Sequence, residues 1–287
     1  MSRDIFIRLP SVFKIGGVRV GGPGLGNLLF VISRGYVESI KNGCGIYPVP
    51  LIQIKPGAIV RQENDFRTYW NIVFKDPKNN KTQHLKVLLY LLFGPSALSW
   101  LANACSNMEN KVTVVSGLGG YFNDYLGYDD KVRSFINANI EHALFGLKND
   151  VNKSFKADLN VEYGVVHIRK GDFVDIWQAD DDWYVKGLRF ALSNIYKVNR
   201  VYIITDDLNK SEEIINMCKR EFKASSIFYG EALECLHLMS KAEFVVGNNS
   251  TFSAWGSYLG SGRLVSQFVC SYLHPDPKSH LKIDIVG

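Results

Sequence analysis

Little in this chain suits a disulfide framework or a metal centre. Five cysteines are spread along 287 residues and no Cys-x-x-Cys occurs. The odd count and long spacings give no cross-linked scaffold and suit small buried hydrophobes in a reduced protein. The six histidines include no His-x-x-x-His pair, so the helical zinc signature is missing too. The longest apolar run, Val87 to Phe93, is far too short to span a bilayer. No signal-peptide pattern opens the chain, because Arg3 and Asp4 stand where an apolar stretch would begin. Solenoid repeats and low-complexity tracts are lacking. There is no Lys/Arg-rich block: Lys and Arg total 33 against 28 Asp and Glu, a net charge of +5 with a pI near 8.8. So mild and scattered an excess gives no footing for nucleic acid. It fits an anionic ligand or loose contact with an acidic membrane surface.

What is present is an α/β pattern in two halves. The polar stretch Lys148 to Lys153 reads as the junction, so the expected domains are residues 1–152 and 153–287. In the second half strands and helices alternate regularly. Tyr163, Val165 and Val166 open a buried strand that runs into His167-Ile168-Arg169-Lys170-Gly171-Asp172. Val201 to Ile204 is a second strand, followed by Thr205-Asp206-Asp207. Ile227 to Tyr229 is a third. Phe244 to Val246 is a fourth, leading into Gly247-Asn248-Asn249-Ser250-Thr251-Phe252-Ser253 and a helix. Leu264 with Val265, and Phe268 with Val269, suggest a fifth. Tyr184, Leu188, Ala191, Leu192 and Ile195 share one helical face. Asn209 and Glu212 have capping-box spacing before another helix. The expected result is a doubly wound parallel sheet, whose ligands bind beyond the carboxyl ends of the strands.

Three of those ends carry groups suited to an anion. Arg169 offers a planar fork of donors. Asp206 and Asp207 follow a second strand. Ser250 and Thr251 open a helix whose free N–H groups can receive phosphate, although Asn249 or Ser250 could simply cap that helix. Asp180-Asp181-Asp182 could suggest a cation site. A helix start, with Asp182 as N-cap, explains the cluster better.

The first half is less regular. Ile5, Ile7 and Leu9 alternate with polar residues, and Val18-Arg19-Val20 resembles a further strand. Gly21 to Asn27 then gives a glycine-rich turn before an apolar helix. Such a turn lets phosphate approach closely or simply reverses the chain. From Gly24 the pattern is Gly-x-Gly-x-x-Leu, which lacks the third small residue of a dinucleotide fingerprint, and no P-loop is present. His84 to Trp100 predicts an apolar helix broken at Gly94-Pro95. Its leucines could touch a membrane, but core packing is the better expectation. Val112 to Val115 predicts a strand leading to Gly119-Gly120-Tyr121-Phe122, a cleft wall or a plain turn.

In their order these motifs resemble the α-1,2-fucosyltransferases of glycosyltransferase family 11. Gly24-Leu25-Gly26-Asn27 is similar to the family's Gly-Leu-Gly-Asn-Gln. Gly120-Tyr121-Phe122 resembles its Gly-Tyr-Phe/Trp. His167 to Asp172 resembles its His-Ile-Arg-Arg-Gly-Asp, and Thr205-Asp206-Asp207 fits its Ser/Thr-Asp-Asp. Leu238-Met239-Ser240 with Asn249 to Ser253 and Trp255-Gly256 resembles its last motif. The likeness runs from about Gly21 to Leu259. Lys170 stands where the family has a second arginine, Leu28 where it has glutamine, and Ala254 where it has the first of two tryptophans.

The resemblance implies a GT-B-like α/β fold of two Rossmann-type domains facing a central cleft. It implies transfer of L-fucose from GDP-β-L-fucose, with inversion, to a galactose hydroxyl of a surface glycan or glycolipid. GDP-fucose is the donor substrate; no cofactor and no metal are implied. Catalysis would fall to Arg169, Asn27, Asp172 and His167. Donor binding would fall to Gly24, Gly26, Asn27, His167, Arg169, Thr205, Asp206, Asp207, Asn249, Ser250, Thr251 and Phe252. For the acceptor's proton, Asp172, His167 and Asp124 are the candidate bases. The expected place is the cytoplasm, with peripheral contact on the inner membrane. The rival expectations are a transferase for another GDP-hexose such as GDP-colitose, and a non-catalytic nucleotide-sugar or glycan-binding protein.

Overall fold

The computed structural model describes residues 4–11, 13–16, 18–20, 22–54, 72–75, 83–104, 113–117, 119–145, 157–170, 179–194, 197–248, 250–267 and 281–286. The chain divides into two compact units, Met1–Leu147 and Lys148–Gly287. Both are α/β and both are built on a parallel sheet.

In the first unit, β1 (Asp4–Arg8) lies between β4 (Gly45–Ile46) and β8 (Val114–Ser116), both parallel to it. Its first four residues are buried, so both of its faces are covered. On one face α1 (Leu25–Lys41) comes so close that a Cβ at Gly35 would strike the Ile7 side chain. On the other, α2 (Gln83–Ala104) sets Tyr90 and Leu98 against Phe6 and Tyr47. Tyr90 Oη donates to the Ile7 carbonyl at 2.9 Å, and Lys86 pairs with Asp4. A helix α3 (Asp129–Phe145) packs against α1, stacking Phe135 on Tyr36 at 4.0 Å.

The expected strand, glycine turn and helix are present as β3 (Val18–Val20), Gly22 at φ 115° and α1. However, β3 belongs to a small separate sheet, pairing with β2 (Phe13–Ile15) and β6 (Gln53–Ile54) and not with β1. A further pair joins β5 (Val49–Pro50) to β7 (Val73–Phe74).

The packing of α2 differs from expectation. It breaks at Gly94, whose φ of 73° is outside the helical region, as the Gly-Pro pair predicted. Yet Leu85, Leu88, Leu92, Phe93, Trp100 and Leu101 are all exposed. The inward side carries Tyr90, Leu98 and the polar anchor Lys86, while these six side chains face outward and do not form core. Among the described residues α2 is long and apolar enough to cross a membrane by length and composition.

The second unit holds six parallel strands: β9 (Tyr163–Ile168), β10 (Arg200–Thr205), β11 (Ser225–Ile227), β12 (Phe244–Gly247), β13 (Arg263–Ser266) and β14 (Ile283–Ile285). Their order is β11-β10-β9-β12-β13-β14. Numbered by sequence, this is the 3-2-1-4-5-6 arrangement of a Rossmann sheet, with its switch point beside the first strand. The sixth strand was not legible beforehand. Alternate residues of β9 face opposite ways. Val166 and Ile168 join the core beneath α4 (Asp181–Asn194) and α5 (Leu208–Glu221), which includes Trp183, Tyr184, Leu188, Ile214 and Ile215. Tyr163 and His167 point to α6 (Ala232–Ser240) and α7 (Thr251–Leu259), with Tyr163 Oη donating to the Leu238 carbonyl at 2.9 Å.

Two helix starts differ from their sequence reading. The cap of α5 is Asp207, whose carboxylate accepts from Lys210 N at 3.1 Å, and not Asn209. The box with reciprocal side-chain bonds is at α6, between Glu231 and Glu234. At α4 both Asp181 and Asp182 lie inside the first turn, so Asp182 is not the cap. Carboxylates there still favour the helix dipole.

Candidate functional site

The carboxyl edge of the second unit's sheet is where the polar side chains gather. The central strand β9 is buried at all six positions because β10 and β12 flank it and helices cover both faces. The chain leaves the sheet at Arg169, one residue beyond Ile168, which pairs with Thr205 of β10. Asp206 therefore stands beside Arg169. The Asp206 carboxylate lies 4.0 Å from Arg169 Nε and accepts from the Lys170 backbone N–H at 2.9 Å. Arg169 remains about a quarter exposed, with a side-chain accessibility of 25%.

Lys170 is tied down on two sides. Its ammonium donates to Asp181 at 2.6 Å, and its carbonyl accepts from Lys210 Nζ at 3.5 Å. Lys210 also pairs with Asp207 at 3.5 Å. Thr205 Oγ1 accepts from the Asp207 N–H at 3.1 Å and bonds Ser211 Oγ at 2.7 Å, which sets the turn between β10 and α5. Three cations thus share one strand-end cluster with three aspartates. The buried Tyr184 hydroxyl closes the cluster from below. Burial pushes its pKa up to about 12, with smaller contributions from Asp206 and Asp181, against a backbone hydrogen bond from Arg169.

Across the switch point, β12 ends at Gly247, paired in register with His167. A Cβ on Gly247 would lie 2.8 Å from Ser253 Cβ, so only glycine lets the first turn of α7 approach this closely. Ser253 is fully buried and its Oγ lies 2.6 Å from His167 Nδ1. His167 is itself buried. Loss of solvent, and then the Arg169 charge, lower its pKa to about 3, so the ring is neutral. Ser250 caps α7, its Oγ accepting from Phe252 N at 3.3 Å. The Phe252 ring sits 5.5 Å from the His167 ring. Thr251 and Phe252 are half-buried at the mouth.

The second unit therefore brings together His167, Arg169, Thr205, Asp206, Asp207, Ser250, Thr251 and Phe252 along one edge. Asp172 and Asn249 lie outside the described residues. Gly24, Gly26 and Asn27 belong to the first unit, at the start of α1. Gly24 takes φ −69° and ψ 174° as N-cap, and a Cβ there would meet nothing within 4 Å, so no described neighbour demands glycine. Asp124, a candidate base, is occupied in its own unit. It pairs with Arg34 at 3.2 Å and accepts from the Gly120 N–H at 2.8 Å, holding the turn before the 3₁₀ segment Tyr121–Tyr125. Tyr121 takes φ 55°, the positive-φ residue other than glycine among those described.

Sequence reasoning missed Ser253, Tyr184 and Lys210. Ser253 lay inside a matched motif but had no role. Tyr184 was grouped with its helix face, where its hydroxyl gave no separate signal, and nothing local marks Lys210.

No protein-family model matches the chain, and no curated protein matches it. A solved structure of a mutant Arabidopsis thaliana FUT1 in complex with GDP is similar over 96% of this chain and 72% of that one, at 11% identity and a TM-score of 0.38. So distant a likeness carries no argument about activity. The resemblance to α-1,2-fucosyltransferases rests on the motifs themselves.

Proposed function

We propose that this chain is an inverting, metal-independent glycosyltransferase that moves L-fucose from GDP-β-L-fucose to a hydroxyl, O2 of galactose, on a surface glycan. The observation that carries this reading is the placement of Arg169 and the α7 helix start at the switch point of a 3-2-1-4-5-6 sheet, where such folds receive nucleotide phosphates. The ordered motifs resembling the fucosyltransferases supply the sugar and the linkage.

In the reaction, the acceptor oxygen bonds to the anomeric carbon as the bond from that carbon to the β-phosphate oxygen breaks, and GDP leaves. Negative charge grows on the β-phosphate, so donors fixed beforehand at that position lower the barrier. Arg169 supplies a charged fork, and the start of α7 supplies a favourable dipole and the Thr251 hydroxyl. By the resemblance, Asp206 with Phe252 would hold the guanosine. The acceptor's proton must also go to a base. His167, neutral and bonded to Ser253, suits orienting better than proton uptake, and Asp124 is held by Arg34. Asp172 is the motif carboxylate that remains for this step.

Arg169→Ala should keep the fold and lose about 100–1000-fold in transfer rate, the scale of removing one preorganised donor from a developing oxyanion. Arg169→Lys should also fail badly, because a point charge does not replace a fork. The measurement is initial rate over a panel of GDP-sugars and acceptor disaccharides. Near-normal activity of folded Arg169→Ala would sink the assignment. Turnover of another GDP-hexose only would retain the phosphate site and replace fucose. Absence of any hydrolysis or transfer would make the chain a binding protein.

A further inference from the structure

We infer that the outer face of α2 rests on an anionic lipid surface, seated flat and not spanning it. This surface lies in the first unit and does not depend on the reaction assigned above. The argument begins with which side of α2 faces the protein. Tyr90 and Leu98 turn inward, with the Tyr90 hydroxyl on the Ile7 carbonyl and Lys86 on Asp4. The outward side carries Leu85, Leu88 and Leu92 at helical spacing, with Phe93 beside them and Trp100 and Leu101 beyond the kink. Within His84 to Ala104 an 18-residue window has a mean hydropathy of 1.5, yet only 28% of that window is buried. Scattered surface leucines need no explanation, but six large exposed apolar side chains on one kinked helix, with Leu85, Leu88 and Leu92 at helical spacing, mark an interaction surface.

Geometry limits how a membrane could take this face. Gly94 at φ 73° divides the helix, and each half rises only about 15–17 Å at 1.5 Å per residue. Neither half can cross a hydrocarbon core of about 30 Å. The kink is locked in place: a Cβ at Gly94 would lie 2.7 Å from the Gly16 carbonyl oxygen, and one at Gly16 would strike the Leu91 carbonyl. Straightening the helix would break this contact with the β2–β3 hairpin. Shallow insertion of side chains remains, with Trp100 suited to the headgroup level.

Charge selects the lipid. The same hairpin carries Ile15, which is exposed, and Lys14 just before Gly16, the residue that meets the kink. Burial, and then the charges of exposed Arg8 and of buried Arg19, lower the Lys14 pKa to about 8; Arg19 is held inside by Pro10, Leu51 and Gln53. Arg8 and Lys14 are the two accessible positive side chains of this group, and an anionic headgroup layer is the surface that relieves their repulsion. A neutral protein partner would leave that repulsion standing.

The test is co-sedimentation of the full chain with phosphatidylglycerol/phosphatidylcholine vesicles and with phosphatidylcholine alone. The comparison variant is Leu88→Glu/Leu92→Glu, both exposed positions, with circular dichroism confirming its fold. The chain should bind the anionic vesicles, bind the neutral ones at least about tenfold more weakly, and lose affinity in high salt. The double variant should bind more than tenfold more weakly, as two leucines no longer enter the lipid. Equal binding by the folded variant, or no binding to anionic vesicles, overturns the inference. So does a vesicle-free dimer in sedimentation equilibrium that the double variant dissolves, because a second copy would then own this face.

Discussion

At the scale of single residues, His167 is the side chain whose environment departs most from its free chemistry. A histidine in water is half-protonated near pH 6.5; here burial and the neighbouring Arg169 lower the pKa to about 3. The native ring refuses a proton that the unfolded chain accepts. Its contribution to stability is therefore fully present above about pH 6.5 and is lost as pH falls towards 3. Thermal melts of wild type and His167→Gln across that window should show the wild type's slope flattened in the variant. Identical slopes would mean that His167 is not the group concerned. The two described buried cysteines, Cys218 and Cys235, have their thiols pushed up to about 12, chiefly by burial. They should resist a thiol reagent until the protein unfolds.

At the scale of elements, the junction from β12 to α7 carries a side-chain cap at the same helix start that is proposed to receive phosphate. Ser250 Oγ accepts from Phe252 N, which accounts for one of the free donors at the helix start. Ser250→Ala should cost about 1 kcal/mol of stability by lost capping. Thr251→Ala removes no cap. If the helix start receives phosphate, calorimetric titration should show weaker GDP binding in both variants. Unchanged affinity in both would leave only the structural role. Gly247 belongs to the same junction. Gly247→Ala would push Ser253 away from His167, so it should destabilise by about 1–3 kcal/mol, the usual cost of overpacking.

At the scale of the whole molecule, the charge balance bears on whether a cation is needed. Among the described residues no group of three or more His, Cys, Asp and Glu side chains is placed to hold a metal, and Asp181 is taken by Lys170 at 2.6 Å. Lys170 and Lys210 are paired with Asp181 and Asp207, so in the proposed reaction the leaving group's charge falls to Arg169 and the helix start. Initial rates should therefore survive excess EDTA, and Asp181→Ala should stay active with a modest stability loss. A rate that collapses with chelator and returns with Mg²⁺ or Mn²⁺ would bring a metal into the mechanism.

The alternation of strand and helix in the second unit was determined by the sequence alone. Strands buried on both faces must be continuous apolar runs, as in Val165-Val166, Val201 to Ile204 and Phe244 to Val246, and each is followed by polar residues at its exit. The break at Gly94-Pro95 was legible for an equally local reason, a residue free to take positive φ before one that cannot continue the hydrogen bonding. Tertiary structure decided the rest, because periodicity reports that a face is apolar and not what it meets. Only the strand order sets β9 beside β12, and so His167 against Gly247 and Ser253. The inward side of α2 was likewise chosen by partners far along the chain, the Ile7 carbonyl and Asp4. Leu98 is buried beside Tyr90, while Leu85, Leu88, Leu92 and Leu101 are turned to the outside.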